Sequence, residues 1–255
     1  MILGFQAPTV TELFEFRPLF KIGGLAVTYP IILMFGVTIL MILFFQRAFA
    51  KPQLVPVGAQ NLGEVAIDFV RDQIALPALG PEGANWVPFL TCMFYFVLFN
   101  NLLSIVPGAQ FPVTSLMGLP VMLAVVSWVI FNYLGIKEQG FVGYFKGIMF
   151  PPGVPKIVYI LLSPIELLST VIVRPVTLAV RLFANMVAGH MILAVLFLGT
   201  WVFIHGNFLG KIFFILPFSL GAALTAFEIF VGGMQAFIIT ILTAVYIAGA
   251  SHPEH

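Results

Sequence analysis

Charge is what this sequence has least of: Asp, Glu, Lys and Arg make up 8% of its 255 residues, against 61% hydrophobic, and mean hydropathy is +1.11. That balance excludes a soluble globular domain and places the chain among polytopic membrane proteins. A formal net charge of +1 supplies neither a basic field for nucleic acid nor an acidic one for a basic partner. Cys92 is the single cysteine, so neither an intrachain disulfide nor a cysteine-based metal cluster is available. The sequence lacks a Walker-type phosphate loop, GxGxxG and HExxH, and His190, His205, His252 and His255 are not spaced as a metal or haem set. No cofactor, metal, nucleotide or nucleic acid is therefore expected on this chain. The opening stretch, with Glu12 and Glu15, has no basic segment leading into a short apolar core. It predicts no cleavable signal or transit peptide, so the first span does the targeting. Without an internal repeat or a boundary in composition, 1–255 reads as a single membrane domain.

What the chain does have is apolar length. Residues 26–49 suffice to cross ~30 Å of hydrocarbon and are closed by Arg47, Lys51 and a Pro/Gly segment. Residues 61–76 set Leu62, Val65, Phe69, Val70 and Ile74 against Glu64, Asp68, Arg71 and Asp72. This is an amphipathic helix, either interfacial or packed on the rest of the chain. Further spans are expected over 86–106, where Asn100 and Asn101 bond a neighbouring helix, and over 120–136. The following stretch to Lys156, with Lys137, Lys146 and three prolines, should be extramembrane and not helical throughout. Residues 157–204 run about twice the ~20 residues of one perpendicular crossing. Pro164 and Pro175 can bend a helix there, but no turn-rich linker interrupts it, which favours one long oblique helix over two tight spans. Across a short loop it pairs with 212–250. The expected class is an all-α polytopic membrane protein: about five membrane helices, one interfacial amphipathic helix and a long tilted C-terminal hairpin. Arg47, Lys51, Arg71, Lys137, Lys146 and Lys156 oppose Arg17, Lys21 and Lys211, six against three. By the positive-inside rule the N-terminus lies outside and the C-terminus in the cytoplasm.

Two arginines and a glutamate interrupt the first long segment. An ionised side chain at mid-bilayer costs at least ~2.5 kcal/mol, so such residues are functional candidates by default. At 100° per residue, Ser163, Glu166, Thr170, Arg174, Thr177, Arg181 and Asn185 fall within about 60° of the Arg181 direction, with Ala184 and Ala188 beside them. His190 points to the opposite side. On the second segment Gly221, Thr225, Glu228, Gly232, Gln235, Thr243 and Tyr246 share one face. Adjacent polar stripes define a polar interface. Glu228 is the lone carboxylate of its segment, and lipid favours the protonated form of a lone carboxylate. With His190 it can pass protons near physiological pH, or the two can simply staple the hairpin. Arg181 cannot release its proton and so cannot relay. It can only hold a fixed positive charge and attract a carboxylate. Glu166 lies 15 positions earlier, ~22 Å along a straight helix, too far for an intrahelical pair. The partner of Arg181 is thus expected on another chain. Arg174, near a membrane boundary, reads as structural or snorkelling.

RPVTLAVRLFANMVAGH (Arg174 to His190) and FEIFVGGMQAFIITILTAVY (Phe227 to Tyr246) closely resemble subunit a of F-type ATP synthases, and NNLLSIVP (Asn100 to Pro107) matches an earlier element of that family. The resemblance spans most of 25–250. It implies a non-catalytic stator subunit of the F0 sector, in a bacterial plasma membrane in preference to a mitochondrial inner membrane. It further implies a c-subunit ring whose carboxylates pass Arg181, two offset proton half-channels, a b-subunit stalk and a catalytic F1 head reached through the complex. Arg181 matches the family's essential arginine, Asn185 and Gln235 polar positions beside it, and Thr177 a small hydroxyl position. His190 and Glu228 stand at the half-channel positions, exchanged relative to many bacterial members. Ser104 stands where some members have Asp, and Glu166 is similar to a family acidic position. The rivals are a stand-alone secondary transporter or ion channel, disfavoured by the lack of an inverted repeat, and a purely structural subunit of a respiratory complex.

Overall fold

The computed structural model describes residues 16, 18–22, 25–106, 108–150, 158–206 and 210–251. Most of the opening stretch 1–24 and the tail after Ser251 lie outside them. Helices dominate, and the departure is one short antiparallel pair, β1 (Phe20–Ile22) with β2 (Leu25–Val27), in which Lys21 faces Ala26.

Helix α1 is Tyr29–Ala48. Helix α2 spans 59–79 and contains a π-turn at Arg71–Ala75. A 3₁₀ segment, Gly80–Trp86, leads into α3, Val87–Leu102. Helices α4 (Gly118–Met149) and α5 (Tyr159–Ile204) follow, α5 with its own π-turn at Ser169–Val173. The turn Gly210–Phe213 precedes α6, Ile215–Ser251. Four runs among the described residues are long and apolar enough to cross a membrane: α1, α4, α5 and Lys211–Ser251. At 16 residues, or ~24 Å, α3 is shorter than the 86–106 expected, because the chain turns tightly after Leu102, with the Ser104 amide bonded to the Asn101 carbonyl at 3.2 Å. Helix α5 is one continuous run of 46 residues, ~69 Å, which fits a ~30 Å hydrocarbon layer only obliquely or by projecting beyond it.

Both π-turns end two residues before a proline, Pro77 and Pro175. A proline ring collides with the carbonyl four residues earlier, and one extra residue in the turn relieves that collision without ending the helix. Helix runs past the expected end of the 120–136 span, although the link is, as expected, not helical throughout. Helix continues to Met149, broken only at Gly140, whose φ of 73° suits glycine. The break folds Tyr144 back so that its hydroxyl donates to Asn132 Oδ1 at 3.1 Å, and a Cβ at Gly135 would overlap the Tyr144 ring.

Helix α6 packs against α5, α3 and α4. Its buried residues recur every three to four positions, through Gly232, Ala236, Ile239, Thr243 and Ile247, so one stripe meets all three neighbours. Val70 and Ile74 of α2 are fully buried in the same core as Leu90, Val97 and Leu182, while Leu62, Val65 and Phe69 stay exposed. Helix α2 thus packs on the chain by one face and leaves apolar side chains outward on another. Buried polar groups lock the contacts: Ser127 and Thr243 hydroxyls meet at 2.9 Å, and Gln139 Nε2 donates to the Ala250 carbonyl at 3.0 Å.

Candidate functional site

The site is built on two helix faces. From Arg174 onward, α5 buries Leu178, Ala179, Leu182 and Met186, the i, i+4, i+8 row that meets the core. The opposite row, Thr177, Arg181, Ala184, Asn185 and Ala188, is exposed on this chain. Thr177 is occupied by its own helix, its hydroxyl donating to the Val173 and Arg174 carbonyls at 2.7 and 3.1 Å. Arg181 forms no ion pair among the described residues, where the salt bridges all involve Arg71.

The single polar stripe expected along α5 is not continuous. The π-turn at Ser169–Val173 inserts one residue, which rotates everything before it by about 100° relative to Arg181. Thr170 is accordingly buried, at 3% exposure, while Thr177 and Arg181 face outward. Ser163, whose hydroxyl bonds the Met149 carbonyl, and half-buried Glu166 lie on the far side of that turn.

Helix α6 brings Glu228 and Gln235, each 6% exposed, to a groove of about 450 Å³ between α5 and α6. Asn185, Gly189 and Phe227 share its lining. Gly189 lies against the carboxyl group: a Cβ there would stand 3.5 Å from Glu228 Oε1, an ordinary contact distance. Neither Glu228 oxygen has a full hydrogen bond among the described residues, although Ser104 lies within electrostatic reach. His190 takes a different direction. Its ring meets Phe111 edge-on, with centroids 5.6 Å apart and planes at 82°. Adjacent helical residues diverge by about 100°, so the helix that sets Gly189 against Glu228 turns His190 aside, toward Phe111. Phe111 carried no sequence signal, being one apolar residue of an uncharged link.

Arg174 has a partner: its guanidinium stands 5.2 Å from the centroid of Tyr246, a cation–π contact that ties α5 to α6. Asn101 likewise bonds a neighbouring helix, as expected of the Asn pair, its Nδ2 donating to the Gly232 carbonyl at 3.0 Å. Its companion Asn100 donates within α3 to the Phe96 carbonyl at 2.8 Å. No group of three or more metal-ligating side chains occurs among the described residues.

Comparisons with known proteins identify the family of this helical bundle. Residues 31–248 match the family described as ATP synthase A chain. The chain is 45% identical to ATP synthase subunit a of Frankia alni, over 99% of this chain and 88% of the relative. Identity is 40% to the subunit a of Rhodococcus erythropolis, over 98% and 92%, and 40% to that of Hyphomonas neptunium, over 85% and 83%. This multi-pass membrane chain belongs to the ATP synthase subunit a family, the family of the F0 sector.

Proposed function

We propose that this chain is the non-catalytic stator of a proton-driven ATP synthase, standing against a rotating c-subunit ring and joined through a b-subunit stalk to the F1 head. The observation that carries the reading is Arg181, a permanent cation on an exposed face of an apolar helix with no carboxylate partner among the described residues. A ring carboxylate facing lipid must be neutral and is ionised only beside a cation and water. As each carboxylate passes, Arg181 takes it as a transient counter-ion, and its fixed positive charge blocks direct leak between the two half-channels. The groove with Asn185, Glu228 and Gln235, flanked by His190, serves one half-channel. Glu166, toward the other end of α5, serves the second, with Thr177 between them beside Arg181. Each proton crossing 100 mV supplies about 2.3 kcal/mol, so several are summed per ATP. The Lys and Arg count, six against three, supports a cytoplasmic C-terminus, and the membrane is taken as a bacterial plasma membrane.

The test is Arg181→Ala in the complete complex, assayed in inverted membrane vesicles. Proton-driven synthesis is expected to be abolished while the detached head still hydrolyses ATP. Synthesis at the wild-type rate would defeat the assignment, and purification free of a c-ring would favour a stand-alone transporter.

A further inference from the structure

Asn101 has two bonds, and they join three elements. Its Nδ2 donates to the Gly232 carbonyl of α6 at 3.0 Å, and its Oδ1 accepts from the Thr114 hydroxyl of the 3₁₀ turn Val113–Ser115 at 2.5 Å. Asn101 is 2% exposed and Thr114 fully buried, so no competing water reaches either bond. The fit is close, since a Cβ at Gly232 would stand 3.2 Å from Asn101 Cβ. Gly232 lies one helical turn from Glu228 and three residues before Gln235. The turn after α3 carries Ser104, whose amide bonds the Asn101 carbonyl. The other polar ties of α6 described above, at Thr243, Tyr246 and Ala250, lie three turns or more beyond Gly232, so the Asn101 bond is the one nearest Glu228. We infer that Asn101 and Thr114 are positioning residues: their clamp on the Gly232 carbonyl sets the rotation of α6 and so aims Glu228 and Gln235 into the groove with Asn185. The role of that groove rests on the proton-path reading above.

Thr114→Val keeps the volume and removes the donor, and Thr114→Ser restores it. In the complete complex, with c and b subunits co-purifying in wild-type amounts, two measurements separate the claims. One is passive proton conduction through F0. The other is the labelling rate of a Glu228→Cys reporter by a charged thiol reagent, in a Cys92→Ser background, with Val245→Cys as control. Thr114→Val is expected to lower conduction between about 10- and 100-fold and to change labelling at position 228 but not at 245, and Thr114→Ser to restore both. Unchanged labelling at 228, or equal change at 245, overturns the clamp. Changed labelling with wild-type conduction upholds the clamp and overturns the proton role of the groove. Asn101→Ala gives the same readouts where Thr114→Val leaves the Asn101 donor in place.

Discussion

Arg71 and Arg181 are provided for in opposite ways. Arg71, on α2 where solvent already screens charge, has Asp68 and Asp72 oxygens each at 2.9 Å, and the Asp72 hydrogen bond with the nearby Asp68 charge pushes its pKa up. Arg181, in an apolar helix where an isolated cation is costly, has no such oxygen among the described residues. A fold that pairs its inexpensive arginine and leaves the expensive one open agrees with the proposal that the counter-ion comes from outside the chain. Arg174 falls between them, satisfied internally by the face of Tyr246.

The contrast can be broken experimentally. The largest effect is expected at Arg181, where the alanine variant loses proton-driven synthesis, whereas Arg71→Ala leaves synthesis within a factor of about two, because exposed ion pairs contribute little. Next, Glu228→Ala or His190→Ala should slow proton conduction and alter its pH dependence, measured by fluorescence quenching across a pH series. An unaltered profile in both would reduce them to packing residues. Gly135→Ala should destabilise the subunit by roughly 1–3 kcal/mol through collision with the Tyr144 ring, read as loss of assembled complex on heating, and unchanged thermal stability would show that Tyr144 moves aside freely. The smallest effect is Arg174→Gln, about 0.5–2 kcal/mol in the same assay with conduction retained. A loss of conduction equal to that of Arg181→Ala would erase the distinction between the two arginines.

Much of this arrangement was legible because membrane helices obey simple lengths. The apolar runs predicted the all-α class, and the polar residues of α6 predicted the stripe holding Glu228, Gly232 and Gln235. The departures share a cause in local backbone geometry. A 3.6-residue period carried unbroken through Pro175 puts Glu166 and Thr170 with Arg181, but the π-turn ahead of that proline shifts the phase. Lys137 and Lys146 do not end the helix, because Gly140 lets the chain bend and continue. Residue type groups His190 with Glu228, yet side chains one residue apart leave a helix in different directions, and it is Gly189 that lies against the carboxyl group.

The extra residue at Ser169–Val173 separates two quantities that a regular helix links, how far the chain has advanced and which way it faces. Deleting one residue there would shorten α5 by only ~1.5 Å while swinging Glu166 around toward the Arg181 side. A single codon thus governs whether the acid and the base of this helix look in different directions or the same one.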